Sequence, residues 1–226
     1  MLPFPGGLES QANGALVVAI LAAISYLFAR PLPVSWRRSA VKTIPVAALA
    51  WLSFVEAGPW LLTAAIALSA LGDIALAQEE DERFFLAGLG AFLAAHIAYV
   101  VLFAAGGEGL AILVAKPWRL AAALAVAAFG VFMLTRLWPA LDRAMRPPVL
   151  TYMLAIVAMG IAAFTTREPA IMAGALLFIA SDAILATERF LLRPDASQRA
   201  MTGPAIWITY IAAQLAITLG VLVRAY

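Results

Sequence analysis

Apolar residues along this chain come in blocks of about twenty, separated by short breaks, and no segment shows the alternation of a membrane β-strand. A helix of that length crosses the hydrocarbon of a bilayer, at ~1.5 Å of rise per residue. The pattern predicts helices over 14–30, 40–56, 60–78, 84–105, 119–138, 148–165, 169–187 and 203–223. The breaks carry residues that end a helix or start one at its first turn. They are Arg30-Pro31-Leu32-Pro33, Gly58-Pro59, the acidic run Glu79-Glu80-Asp81-Glu82 with Arg83, Gly106-Gly107, Arg146-Pro147-Pro148, Glu168-Pro169, and residues 193–204. The expected fold class is all-α: a polytopic membrane protein of about eight transmembrane helices, forming one domain over 1–226. The first block has no Lys or Arg before it and Arg30 directly after it, the reverse of a signal peptide, so it reads as a retained helix.

Composition sharpens this picture. The 226 residues are 65% hydrophobic and only 12% charged, with a mean hydropathy of +0.97. That leaves too little polar surface to cover a water-soluble globule, and a disordered chain would need the opposite balance. A net charge of +2, with the basic residues between apolar blocks, gives no nucleic-acid footprint. Cysteine is absent, which removes disulfides, thiolate metal sites and cysteine nucleophiles. A single histidine cannot build an HExxH zinc site, and no metal or cofactor is signalled.

The basic residues orient the chain. Eleven of the fifteen lie in or beside the first, third, fifth and seventh connections: Arg30, Arg37, Arg38, Lys42, Arg83, Arg136, Arg143, Arg146, Arg189, Arg193 and Arg199. The positive-inside rule places those connections in the cytoplasm and both termini outside, in the cytoplasmic membrane. A weak internal echo also appears: Ala70-Leu-Gly-Asp-Ile-Ala-Leu-Ala77 is similar to Ile179-Ala-Ser-Asp-Ala-Ile-Leu-Ala186. It fits two parallel four-helix halves, as in some transporters; chance likeness of two Ala/Leu-rich helices is the alternative.

Ionisable residues inside apolar helices are costly, so they mark chemistry. Asp73 and Asp182 each lie past the middle of a predicted helix running outside to inside, which puts both carboxyls towards the cytoplasmic half. Equal depth is what a shared site needs; separate structural hydrogen bonding is the plainer reading. His96 and Tyr99 are three apart and share a face, and Trp207, Tyr210, Gln214 and Thr218 form one stripe. Tyr152 opens a helix, Ser181 precedes Asp182, and Lys42 is expected one turn into the second helix, where it either snorkels to the head groups or holds an anion. The acidic run reads as a solvated loop. Glu79-Glu80 resembles the start of an intramembrane prenyl-protease motif, but the Arg spacing is one short. Leu71-Gly72-Asp73 resembles intramembrane aspartyl proteases, but position 70 is Ala.

An ordered set of these residues resembles the YhhN-like lysoplasmalogenase family. The set is Lys42, Gly72-Asp73 with Leu76, Phe85-x-x-Gly88-x-x-x-Phe92-x-x-x-His96-x-x-Tyr99, Tyr152, Gly174-Ala-x-x-Phe178-x-x-Ser181-Asp182, and Tyr210-x-x-x-Gln214 with Gly220. One departure is that Thr43-Ile44 separates Lys42 from Pro45. The resemblance implies hydrolysis of the sn-1 vinyl-ether bond of a lysoplasmalogen to a fatty aldehyde and a glycerophospho-ethanolamine or -choline. A vinyl ether yields only after its terminal carbon is protonated, giving an oxocarbenium ion that water captures. Two carboxyls sharing one proton suit that task, as in glycosidases. Asp73 and Asp182 are the catalytic candidates, with the acid and base roles open between them. Lys42 would take the lipid phosphate, and His96, Tyr99, Tyr152, Ser181, Tyr210 and Gln214 would line the substrate. The partners implied are a lysophospholipid and the surrounding membrane lipids. The competing readings are a proton-coupled transporter, a lipid-binding protein, or another intramembrane aspartyl hydrolase.

Overall fold

A computed structural model describes residues 2–78 and 82–223. The acidic run expected as a loop lies outside the described residues at 79–81; Glu82 already begins a helix. The described part is all-helical, with no strand. Eight helices of seventeen residues or more occur: α1 Gln11–Ala29, α2 Trp36–Val55, α3 Trp60–Leu76, α4 Glu82–Gly106, α6 Pro117–Leu137, α7 Arg146–Ala163, α8 Pro169–Phe190 and α9 Arg199–Leu222. The five-residue helix α5, Ala111–Ala115, escaped the apolar pattern because one turn has no readable period.

Six of the eight, α1, α4, α6 with its 3-10 extension to Ala140, α7, α8 and α9, are long and apolar enough to cross a membrane. The chain is an integral membrane protein. Helix α2 is excluded from that set by its polar first two turns, and α3 by its seventeen residues, ~25 Å of rise. Exposed Trp36, Trp60, Trp118 and Trp138 lie at helix ends, where indole rings favour the membrane interface.

The fold divides into two compact units, one from residues 1–102 with 218–226, the other from 103–217. In the first, α1 packs on α2 and α2 on α3. The chain enters α1 through a hook: Asn13 Nδ2 donates to the carbonyls of Phe4 at 2.7 Å and Gly7 at 2.8 Å, with Phe4 buried beneath. Helix α2 starts four residues earlier than expected because Ser35 caps it, accepting from the Arg38 amide at 3.3 Å. It then runs on through Pro45. Gly58-Pro59 makes the tight turn into α3; a Cβ at Gly58 would meet the Ser53 carbonyl at 3.0 Å.

In the second unit, α7 packs against α6 and α8. Glycines let the helices approach: a Cβ at Gly130 would meet Val157, and one at Gly160 would meet Ile179 and Val126. The end of α7 is held by buried Arg119, whose Nη1 donates to the carbonyls of Phe164 at 3.0 Å and Thr166 at 2.7 Å. Those carbonyls lack intrahelical donors, and a cation suits the negative end of the helix. Outside the spans, Arg167 pairs with Glu108 at 2.6 Å and its hydrogen bond holds the Glu108 carboxyl below the ordinary glutamate value.

Candidate functional site

In the first unit the candidate residues follow from one helix seam. Along α2, Ser39, Lys42, Val46, Leu49 and Ser53 recur at spacings of three and four, so they share a face. Val46 and Leu49 are fully buried there, as are Ile66 and, nearly so, Ala70 on α3. Three polar contacts cross between the helices. Ser53 and Thr63 share a hydroxyl hydrogen bond of 2.7 Å. Lys42 Nζ lies 3.7 Å from Asp73 Oδ1. Gln78 Nε2 donates to Ser39 Oγ at 2.9 Å. Lys42 is the seventh residue of α2, a turn deeper than expected, because the helix begins at Trp36. Its side chain is only 16% exposed. It is committed to the carboxylate instead of snorkelling to the surface.

Asp73 is itself 2% exposed and sits in the last turn of α3. The helix is fixed against α4 beside it. A Cβ on Gly72 would strike the Phe92 ring at 2.5 Å, and one on Gly88 would strike Leu76 at 2.7 Å and lie 3.3 Å from the Gly72 carbonyl. These glycines give close backbone approach at the residue before the carboxylate. His96 and Tyr99 are fully buried on α4. His96 Nδ1 lies 2.7 Å from the Phe92 carbonyl, which can only accept, so the proton sits on Nδ1.

In the second unit, Tyr152 in the second turn of α7 donates its hydroxyl to Asp182 Oδ2 on α8 at 2.5 Å. The sequence reading had Tyr152 facing substrate; here it holds a carboxyl. Asp182 and Tyr152 are partly buried. Ser181 is turned the other way, donating to the Ile206 carbonyl on α9 at 3.0 Å, which ties α8 to α9. Tyr210 packs edge-on against Phe178 at 5.5 Å between ring centres and against Trp207 at 6.0 Å. Gln214 is fully buried one turn on. Gly174 lets α9 approach α8, since a Cβ there would meet the Ala213 carbonyl and the Ile217 amide at 3.0 Å each.

Within its own unit, then, each aspartate has a polar partner: an ammonium for Asp73, a phenol for Asp182. Three His, Cys, Asp or Glu side chains grouped as for a metal ion do not occur among the described residues. The sequence reading overlooked Ser39 and Gln78. The signal was present in the three-and-four spacing that puts Ser39 on the face of Lys42, but Gln78 gave none, lying after the last helical residue of α3.

The YhhN family model matches residues 37–221. The chain belongs to the YhhN family. The YhhN match takes in every candidate residue from Lys42 to Gln214. Two similar proteins, one from Mycobacterium bovis and one from Mycobacterium tuberculosis, are each named lysoplasmalogenase. Each is 35% identical over 170 residues, covering 71% of this chain and 59% of the relative. This YhhN chain thus spans less than two thirds of the length of those relatives. No solved structure matches it significantly.

Proposed function

We propose that this protein is a lysoplasmalogenase, an ether hydrolase that cleaves the sn-1 vinyl-ether bond of lysoplasmalogens. What carries the reading is the likeness to two relatives of that name, together with a family match over residues 37–221 that takes in both aspartates and their partners. The chemistry asks for one carboxyl to deliver a proton to carbon and one carboxylate to stabilise the oxocarbenium ion or take a proton from water. Asp73, ion-paired with Lys42, is assigned the carboxylate role, and Asp182, hydrogen-bonded by Tyr152, the acid role. A carboxylic acid accepts the Tyr152 hydroxyl on one oxygen while its other oxygen carries the proton to be given. His96, Tyr99, Tyr210 and Gln214 are assigned to the substrate, and Ser181 to bracing α8 against α9. The protein resides in the cytoplasmic membrane with its termini outside and its chemistry in the cytoplasmic half.

The deciding experiment is substrate choice by the purified protein. Alkenyl lysophospholipids should release fatty aldehyde, whereas saturated 1-alkyl analogues should bind and stay intact, since they offer no carbon to protonate. Cleavage of acyl esters as fast as vinyl ethers sinks the mechanism, and peptide cleavage would support an aspartyl protease. A transporter or lipid carrier would release no aldehyde at all.

A further inference from the structure

The polar seam of α2 and α3 continues past the Lys42–Asp73 pair, towards the basic end of α2. Arg38 stands one turn before Lys42 on the same face and is only 8% exposed. Its Nη1 donates to the Leu32 carbonyl at 3.0 Å, which fixes the plane of the guanidinium. Ser39, 2% exposed, sits beside it and is joined to Gln78 by the 2.9 Å bond. A guanidinium and a carboxamide are thus gathered at the first turn of one helix and the end of another, the carboxamide held by Ser39, whose own hydroxyl donates to the Ser35 carbonyl at 3.1 Å.

Resting on the lysoplasmalogenase reading, we propose that Arg38 and Gln78 form the subsite for the phosphodiester of the lysolipid head group, with Ser39 positioning the Gln78 carboxamide and Lys42 left to Asp73. Two arguments lead there. The guanidinium fork grips two phosphate oxygens at once, which an ammonium does not. The spacing also fits the substrate. Six single bonds separate the ether carbon from phosphorus, a reach of about 7 Å when extended. Arg38 lies four residues from Lys42, and Gln78 five from Asp73, in the same direction on antiparallel neighbours; that is ~6–7.5 Å at helical rise. A reacting carbon at Asp73 therefore brings its phosphate to Arg38.

The test uses two substrates with purified protein: 1-alkenyl-glycerophosphoethanolamine and the phosphate-free 1-alkenylglycerol. Arg38→Gln should raise KM for the first by about 10- to 100-fold with kcat unchanged, the loss expected for hydrogen bonds to a charged group, and leave both constants for the second unaltered. Arg38→Lys, which keeps the charge and loses the fork, should fall between. Lys42→Met should instead lower kcat for both substrates. Equal losses by Arg38→Gln on both substrates, or an unchanged KM for the phospholipid, overturns the subsite. Binding of uncleavable 1-alkyl lysophospholipid against 1-alkylglycerol decides the subsite independently of turnover. If the wild type releases no aldehyde, the activity falls while a selective loss of phospholipid affinity in Arg38→Gln keeps the subsite. Glycerophosphoethanolamine should displace the lipid from wild type and not from Arg38→Gln; equal displacement by inorganic phosphate would mark a free-phosphate site and overturn the head-group assignment.

Discussion

Asp73 and Asp182 are the same side chain in two different settings, and amide substitution should separate what the settings do. Asp182→Asn keeps an oxygen that accepts the Tyr152 hydroxyl, so the local hydrogen bond survives. Asp73→Asn leaves the ammonium of Lys42 without its carboxylate in a partly buried place, which costs stability as well as charge. Both variants should lose about 10²–10⁴-fold in aldehyde release per folded molecule, the usual range for an acid–base group. The double variant should be scarcely worse than either single one, as the proposed two-carboxyl chemistry requires. Only Asp73→Asn should also lower the midpoint of thermal unfolding in detergent. Near-normal turnover by either Asn variant removes that aspartate from the chemistry. The two aspartates were legible in the sequence because an acidic residue in an apolar block is conspicuous. Their partners were not: nothing local to Lys42 or Tyr152 says which carboxyl each will meet across a helix interface.

At the scale of elements, the helices were legible because Gly and Pro punctuate apolar blocks, and the long helices start and stop within about four residues of the expected places. The shifts have local causes. Ser35 caps α2 early, and Arg199 anchors the start of α9 by donating to the carbonyls of Glu188 at 2.7 Å and Arg193 at 3.0 Å, so Pro204 falls in the second turn of the helix instead of its first. Which glycines matter was hidden, since a helical Gly has the same letter whether it faces a neighbour or lipid. Gly88 and Gly90 on α4 make the contrast. Gly90 has nothing within 4 Å of its would-be Cβ, while Gly88 faces Leu76 and the Gly72 carbonyl. Gly90→Ala should leave stability unchanged or raise it by up to about 1 kcal/mol, the helix propensity gain. Gly88→Ala should cost about 1–3 kcal/mol by overpacking, and should lower kcat, because the Leu76 side chain and the Gly72 carbonyl that it presses on flank Asp73 in the same helix. Thermal midpoints and turnover of the two variants, side by side, check this. Equal behaviour would mean the α3–α4 crossing is not what positions Asp73.

For the molecule as a whole, orientation in the membrane decides from which side substrate arrives, and it rests on charge. Helix ends rich in Lys and Arg resist translocation, whereas acidic residues count for little, so a skew of eleven against four is a directional signal. The seam reinforces it: Arg37, Arg38 and Lys42 crowd one end of α2, the end at which Gln78 leaves α3. If that end faces the cytoplasm, the Lys42–Asp73 pair lies within two turns of the inner head groups, and a lysolipid of the inner leaflet reaches it without crossing the bilayer. The expectation is that a reporter active only in the cytoplasm is silent when fused after Tyr226 and active when fused after Arg199. Accessibility of single cysteines offers a second readout on the full chain, because the protein has none of its own. A cysteine at Trp36 should react only with reagents that enter the cytoplasm, and one at Trp60 with reagents that stay outside. The reverse labelling would turn the protein over, assign the outer leaflet as the source of substrate, and place Arg38 and Asp73 in the outer half.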